Sequence, residues 1–322
     1  MKKVLFLPLL AMALPLLAER IEPIPFGDME QWTVRYIKES KLLGGQTKTL
    51  YCLAPTDTLQ QNAPYIYGEN GNPWSTSNAY ANVMGIEKAA GTMSPEVRED
   101  GGTCCRLDVD MLGVRVMGMI DIQVLVSGTL FTGRNIEPIT TAADPYQNID
   151  FGVPFTGRPS ALMFDYKCVV EQENWYWFAK GAGKPKKREF ENGEIDEAEA
   201  YIYLQHRWED DKGKIHSIRV GTGYERFSKS QDTWVNGHRV PIHYGDITGE
   251  PWYRDYMGFK NIERATNSRG KVTLIQEEGW DATLEPTHMV IVITSGKMEA
   301  FEGHEGNTLW VDNVCLVYDE DK

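Results

Sequence analysis

Apolar and polar positions alternate through most of this chain. The runs ALMFDYKCVV (161–170), HMVIVIT (288–294) and LWVDNVCLVY (309–318) have the short, apolar-rich character of strands with a buried face. CRLDVD (105–110), VRVMGMIDIQVLV (114–126), EAYIYLQHR (199–207) and IHSIRV (215–220) read as extended too. Turn-forming clusters such as ENGNP, REDGG and ENGE separate these runs. Helical periodicity is scarce, with 28–38 and 254–264 as the best short candidates. Many strands joined by turn-rich loops predict an all-β, antiparallel sandwich in a single domain.

One polar residue interrupts the final run. On a strict two-residue period, Trp310, Asp312, Val314 and Leu316 share one strand face. A carboxylate among apolar neighbours requires hydrogen bonds, a cationic partner or a metal, because an unpaired buried charge is costly. The closing strand therefore poses the question of what holds Asp312.

Composition adds compartment and partner class. Lys2 and Lys3 precede an apolar run from Val4 to Leu17, and small Ala18 follows. The run is too short to span a bilayer, so residues 1–18 read as a signal peptide and 19–322 as the folded domain. The expected location is secreted, periplasmic or at the cell surface, with no membrane span. The formal charge of −13 argues against nucleic acid, which needs a basic face. A basic cluster at Lys180, Lys184, Lys186, Lys187 and Arg188 reads as a solvated loop. The five cysteines are scattered and odd in number, which points to buried free thiols rather than a disulfide framework.

No complete catalytic motif is present. There is no GxSxG or HExxH, and the six histidines are dispersed. Among 46 acidic residues no pair is marked by context, although Asp165, Glu171 and Glu173 cluster near the 161–170 run. Tryptophan is the better candidate chemistry, because a flat ring stacks on the C–H face of a sugar. Trp234 (in QDTWVNGH) and Trp252 (in GEPWYRDY) lie in loop-like sequence and are the expected exposed platforms. Trp175 and Trp177 share a strand face in NWYWF (174–178) and come next. Arg158, between Gly157 and Pro159, either fixes a turn by bonding carbonyls or faces a ligand.

Several stretches together resemble a known family. They are FGDMEQW (26–32), NPWSTSNAYAN (72–82), GTLFTGR (128–134), DFGVPFTGRPSALMFDYKC (150–168) and SGKMEAFEGHEGNTLWVDNVCLVY (295–318). In this order they resemble the Putative carbohydrate metabolism domain family of secreted proteins. The resemblance implies a jelly-roll sandwich and a link to carbohydrate, an oligo- or polysaccharide, but supplies no catalytic pair. In similar jelly-roll carbohydrate-binding modules the first and last strands lie together, often bridged by calcium. That resemblance makes Glu30 and Asp312 the candidate calcium ligands, with Asp28 as a third.

Three functional readings follow. The leading one is a secreted, non-catalytic glycan-binding or glycan-utilisation accessory protein. The second is a divergent glycoside hydrolase acting through an unrecognised carboxylate pair. The third is a structural or adhesive surface module.

Overall fold

The structure is a computed structural model that describes residues 19–319 apart from 61, 117–119, 142, 143, 145, 183 and 261. The expected signal peptide lies outside the described residues. Strands form the jelly-roll sandwich expected from the sequence, and no α-helix occurs among the described residues. Across the first sheet the order is Lys180–Ala182, Ile120–Ser127, Thr103–Val116, Thr308–Asp319, Ala161–Val169 and Gln231–Pro241. Glu19–Pro23 pairs with the closing strand, setting Glu19 opposite Asp319 and Pro23 opposite Cys315, so the first described strand and the last are neighbours. Across the second sheet the order is Ile149–Phe151, Thr129–Glu137, His288–Thr294, Ala198–Glu209, Ile215–Phe227, Val272–Trp280 and Arg264–Thr266.

The sheets meet through their alternating apolar positions. Leu107, Leu162, Phe164, Leu309 and Val311 of the first pack against Ile202, Leu204, Ile291 and Ile293 of the second in one buried cluster. All five cysteines are buried free thiols, as their scattered placement implied.

Three local expectations are corrected. The 114–126 run is not one strand. The Thr103–Val116 strand extends into it and turns back as Ile120–Ser127, with Val116 opposite Ile120. The 28–38 candidate is a turn followed by the strand Trp32–Lys38, where Thr33, Val34 and Ile37 favour extended backbone. The 254–264 candidate contains one 3-10 turn, Asp255–Met257. The pairing is antiparallel throughout both sheets except where Ile215–Arg219 runs parallel to Ile275–Trp280. Trp32–Lys38 also runs parallel to Asp57–Leu59 in a smaller sheet.

That smaller sheet is tied to the sandwich by a buried charge pair. Arg35, 1% exposed, donates from Nη1 to Glu137 Oε2 at 2.6 Å and to the Tyr67 hydroxyl at 2.8 Å. Glu137, on the Thr129–Glu137 strand, also accepts from the Tyr80 amide at 2.7 Å. Burial pushes the Glu137 carboxyl up, and the Arg35 guanidinium beside it pulls the other way.

The closing strand does not keep a strict two-residue period. Met163 faces Cys315 while Asp165 faces Asp312, so one extra residue sits in the closing strand. That residue bulges at Asn313, whose φ of 51° is left-handed. The bulge moves Val314 and Leu316 onto the core face with Leu309 and Val311. Asp312 is left on the opposite face with Trp310, away from Val314 and Leu316. Asn313 is suited to this backbone because its short polar side chain tolerates the left-handed region. Asn313→Val should therefore cost about 1–3 kcal/mol in denaturant unfolding, and Asn313→Gly much less. Equal losses in both variants would show that the bulge is held by the Asn313 side chain and not by its backbone.

Candidate functional site

Asp312 is held by an arginine. Its Oδ2 accepts from Arg98 Nη1 at 2.6 Å, and its Oδ1 accepts from the Asn313 amide at 2.8 Å. The same Arg98 Nη1 reaches Asp165 Oδ2 at 3.1 Å, and Arg98 Nη2 donates to Asn236 Oδ1 at 3.1 Å. Burial pushes the Asp312 carboxyl up to about 6, against the pull of Arg98. Glu30 is exposed and accepts from the Thr103 amide at 2.9 Å, while Asp28 Oδ1 accepts from the Glu30 amide at 3.5 Å. A guanidinium thus already neutralises Asp312, and Glu30 is bonded elsewhere. No group of three or more His, Cys, Asp or Glu among the described residues is arranged to hold a metal. Calcium prefers six to eight oxygens, so the donor set Glu30, Asp312 and Asp28 does not fit it.

The expected aromatic platforms fall on separate elements. Trp234 is not in a loop. It lies within the strand Gln231–Pro241, half-buried, with the Arg98 guanidinium 4.0 Å from its ring. One ring face is therefore covered by a cation. Trp177 packs with Val109 and Leu125. Trp175 meets Trp177 edge-on at 5.5 Å, His304 at 4.2 Å and the Lys187 ammonium at 3.8 Å. Arg158 donates to the carbonyls of Leu284 at 3.0 Å and Ala282 at 2.7 Å and covers the Tyr244 ring, which is the turn-fixing role. Trp252 does lie in a loop, is 37% exposed and sits 4.2 Å from His243.

The far side of the second sheet concentrates aromatic and charged groups in a second, largely buried layer. On the strand Ala198–Glu209, Ala198, Ala200, Ile202 and Leu204 enter the core. The alternate residues Glu199, Tyr201, Tyr203, Gln205 and Arg207 therefore project from the opposite face of the second sheet. The Tyr201 ring stacks on Tyr203 at 4.6 Å and on Tyr224 at 5.1 Å, and Tyr224 meets Tyr256 at 5.1 Å. Glu199 Oε2 accepts from the Tyr224 hydroxyl at 2.6 Å and from Arg226 Nε at 3.0 Å. Lys260 Nζ donates to the Tyr224 hydroxyl at 2.8 Å, and the Arg226 guanidinium lies 3.6 Å over Tyr256. Trp252 belongs to the same face: its neighbour His243 is paired with Thr222, and cross-strand partners share a face.

At the other end of this face the groups are sealed. A register shift between Leu204 and Gln205 bulges the neighbouring strand at Val220, which enters the core. As a result Arg219 and Thr222, three apart, reach the same side and bond at 3.2 Å. Arg219 grips Glu277 with two nitrogens, one of them Nε at 2.6 Å. Gln205 Nε2 donates to both Glu277 at 2.9 Å and Glu263 at 3.3 Å, so the two carboxyls are neighbours. Burial and the nearby Glu277 charge push Glu263 up to about 7. Burial lowers Arg207 to about 10, and burial with the Arg207 charge lowers His288 to about 4. These residues were missed because they lie far apart in sequence and the bulge breaks the period that would have aligned them.

The model of the Putative carbohydrate metabolism domain matches residues 56–317. The chain belongs to that family. Membership makes its role carbohydrate-related, and every residue of the tyrosine face lies within the matched range. Two crystal structures are similar to this family member. One is of a putative glycoside hydrolase from Bacteroides thetaiotaomicron, 19% identical, with a TM-score of 0.45 over 90% of this chain and 72% of that one. The other is of a putative glycoside hydrolase from Bacteroides vulgatus, 15% identical, with a TM-score of 0.40 over 92% of this chain and 94% of that one. No curated protein matches the chain. No helix among the described residues is long and apolar enough to cross a membrane.

Proposed function

We propose that this chain is a non-catalytic glycan-binding protein and that the open end of the tyrosine face is its binding surface. The half-buried pair Tyr224 and Tyr256 carries this reading, because it joins flat rings, backed by the buried Tyr201, to charged hydrogen-bonding groups at the edge of a second buried cluster on the outer side of the sheet. Rings take the apolar faces of sugars, and Arg226 and Lys260, both half-buried and anchored by the buried Glu199, suit their hydroxyls. Trp252 extends the platform. The basic, then apolar, N-terminal residues support a protein that meets polysaccharide after export.

Hydrolysis is the second reading, and the neighbouring carboxyls of Glu263 and Glu277 are its one specific support. Their placement weighs against it. Glu263 is 7% exposed, and the side chains of Arg219 and Glu277 are 0% and 4% exposed, which closes the pair off from a glycosidic oxygen.

Calorimetric titration across a panel of oligosaccharides, run with a product assay on the same panel, separates the two. Tyr256→Ala and Trp252→Ala should each weaken binding by about 1–3 kcal/mol, the scale of a lost large apolar contact. No sugar should be cleaved. Wild-type affinity in both variants would remove this face from consideration. Cleavage that disappears in Glu263→Gln would replace the binding reading with the hydrolytic one.

A further inference from the structure

We propose that the glycan held on the tyrosine face is an acidic one, its anionic groups taken up by a basic arm that continues that face. The inference rests on the glycan-binding reading above and names the class of sugar. Its starting point is the cluster Lys180, Lys184, Lys186, Lys187 and Arg188, five of the 33 Lys and Arg within nine residues. The sequence reads this cluster as a solvated loop. The structure instead puts Lys186–Glu189 in a strand paired with Trp175–Phe178, which pairs in turn with Glu302–Gly303.

Register decides which side chains face out. Tyr176 is opposite Arg188 and Phe178 opposite Lys186, so these four share one face. Trp177, on the other face, turns inward against Val109 and Leu125. The Arg188 guanidinium lies 4.0 Å over the Phe178 ring, and Arg188 is the cation of this cluster that makes an ion pair among the described residues, with Glu302. Lys184 and Lys186 are exposed. The outward face of the arm is thus a row of half-buried rings edged by cations.

This row joins the tyrosine face through direct contacts. Arg226, over Tyr256, lies 3.8 Å from Glu197. Glu197 pairs with Lys297 at 2.9 Å, and the Lys297 ammonium is 5.5 Å from the Phe190 ring. Phe190 packs on Tyr176 at 4.7 Å. A polysaccharide following this track passes from stacked tyrosines to rings flanked by ammonium and guanidinium groups. Rings stack on sugar faces, and cations make their strongest bonds to carboxylate or sulfate. On a chain of formal charge −13, a local cation-rich face fixes where a polyanion lands, since the remaining surface repels it.

The test uses the full chain in affinity electrophoresis against polygalacturonate, heparin and neutral dextran, each at low and high salt. At least one polyanion should bind more tightly than dextran, and its affinity should fall as salt rises. Lys184→Glu/Lys186→Glu should weaken polyanion binding by at least about tenfold and leave dextran unchanged. An unaltered melting temperature confirms that this exposed variant is folded. Preference for polygalacturonate assigns carboxylate as the recognised group, and preference for heparin assigns sulfate. Polyanions binding no better than dextran, or a charge-reversed variant that binds like wild type, overturns the inference. So does equal binding to vesicles of phosphatidylglycerol, which would make the arm a membrane contact. Tyr256→Ala is the separate control. Weaker binding of all three polymers supports the underlying face, whereas loss on charge reversal with no effect of Tyr256→Ala breaks the continuous track and the face reading together.

Discussion

Arg35→Met is expected to destabilise the protein by about 3–5 kcal/mol, because it leaves Glu137 buried without its cation. Glu137 has a side-chain exposure of 0%, so water cannot replace the guanidinium. The Tyr67 hydroxyl at 3.3 Å and the Tyr80 amide at 2.7 Å remain, but neither carries charge. The damage should concentrate where the Trp32–Lys38 sheet meets the sandwich, and denaturant unfolding followed by amide exchange would locate it there. The double variant Arg35→Met/Glu137→Met should recover part of the loss, since both charges leave together and only the Tyr80 amide and the Tyr67 hydroxyl lose their acceptor. A single variant as mild as a surface substitution would mean that this contact is not the joint between the two parts.

The second large effect is on pH. Glu263 is pushed up to about 7 by burial and by the Glu277 charge, and fully buried Asp196 is pushed up to about 6, chiefly by burial. Both acids bind a proton more tightly in the folded chain than in the unfolded one. Their contribution is therefore complete below the unfolded values, near pH 4, and is lost as pH rises through 6 to 7. Glu263→Gln keeps the shape of the protonated acid and cannot ionise. At pH 8 it should be more stable than wild type by on the order of 3 kcal/mol, and near pH 4 the difference should vanish. Melting curves of the two proteins from pH 4 to 8 measure this directly. A difference that stays constant over the range would show that Glu263 does not titrate there.

The sequence displays its strands where short apolar-rich runs are bounded by turn-forming residues. ALMFDYKCVV and HMVIVIT are legible because they are short, apolar-rich runs of strand-forming residues. Legibility fails at irregularities. The extra residue at Asn313 carries no apolar signature, so the period places Asp312 beside Val314 and Leu316, which the bulge in fact turns inward. The 114–126 run is largely apolar, so the ends of two antiparallel strands within it look like one longer strand. The tyrosine face was hidden for another reason. Its residues alternate as strictly as any in the chain, but Tyr201 and Tyr203 are themselves strand formers and read as packing. The ring stack forms only when Tyr224 and Tyr256 arrive from elsewhere in the chain. Trp234 misled in the opposite direction, since Gly237 and the polar residues around it belong to an irregular edge strand rather than to a loop.

The strand Thr308–Asp319 is made after every other strand of its sheet but lies between Thr103–Val116 and Ala161–Val169 in the middle of it. Those two strands reach each other only through it, as Cys105 pairs with Val311 and Tyr166 pairs with that same residue from the other side. A nascent chain released before this strand therefore holds two half-sheets with a gap between them and with their apolar positions uncovered. Such a chain has long-range contacts still to make and an open strand slot, the state that chaperones and proteases recognise. The order of synthesis thus delays commitment to the native topology until this strand has been made, and a premature stop anywhere before Thr308 should yield a product that is degraded rather than a smaller working protein.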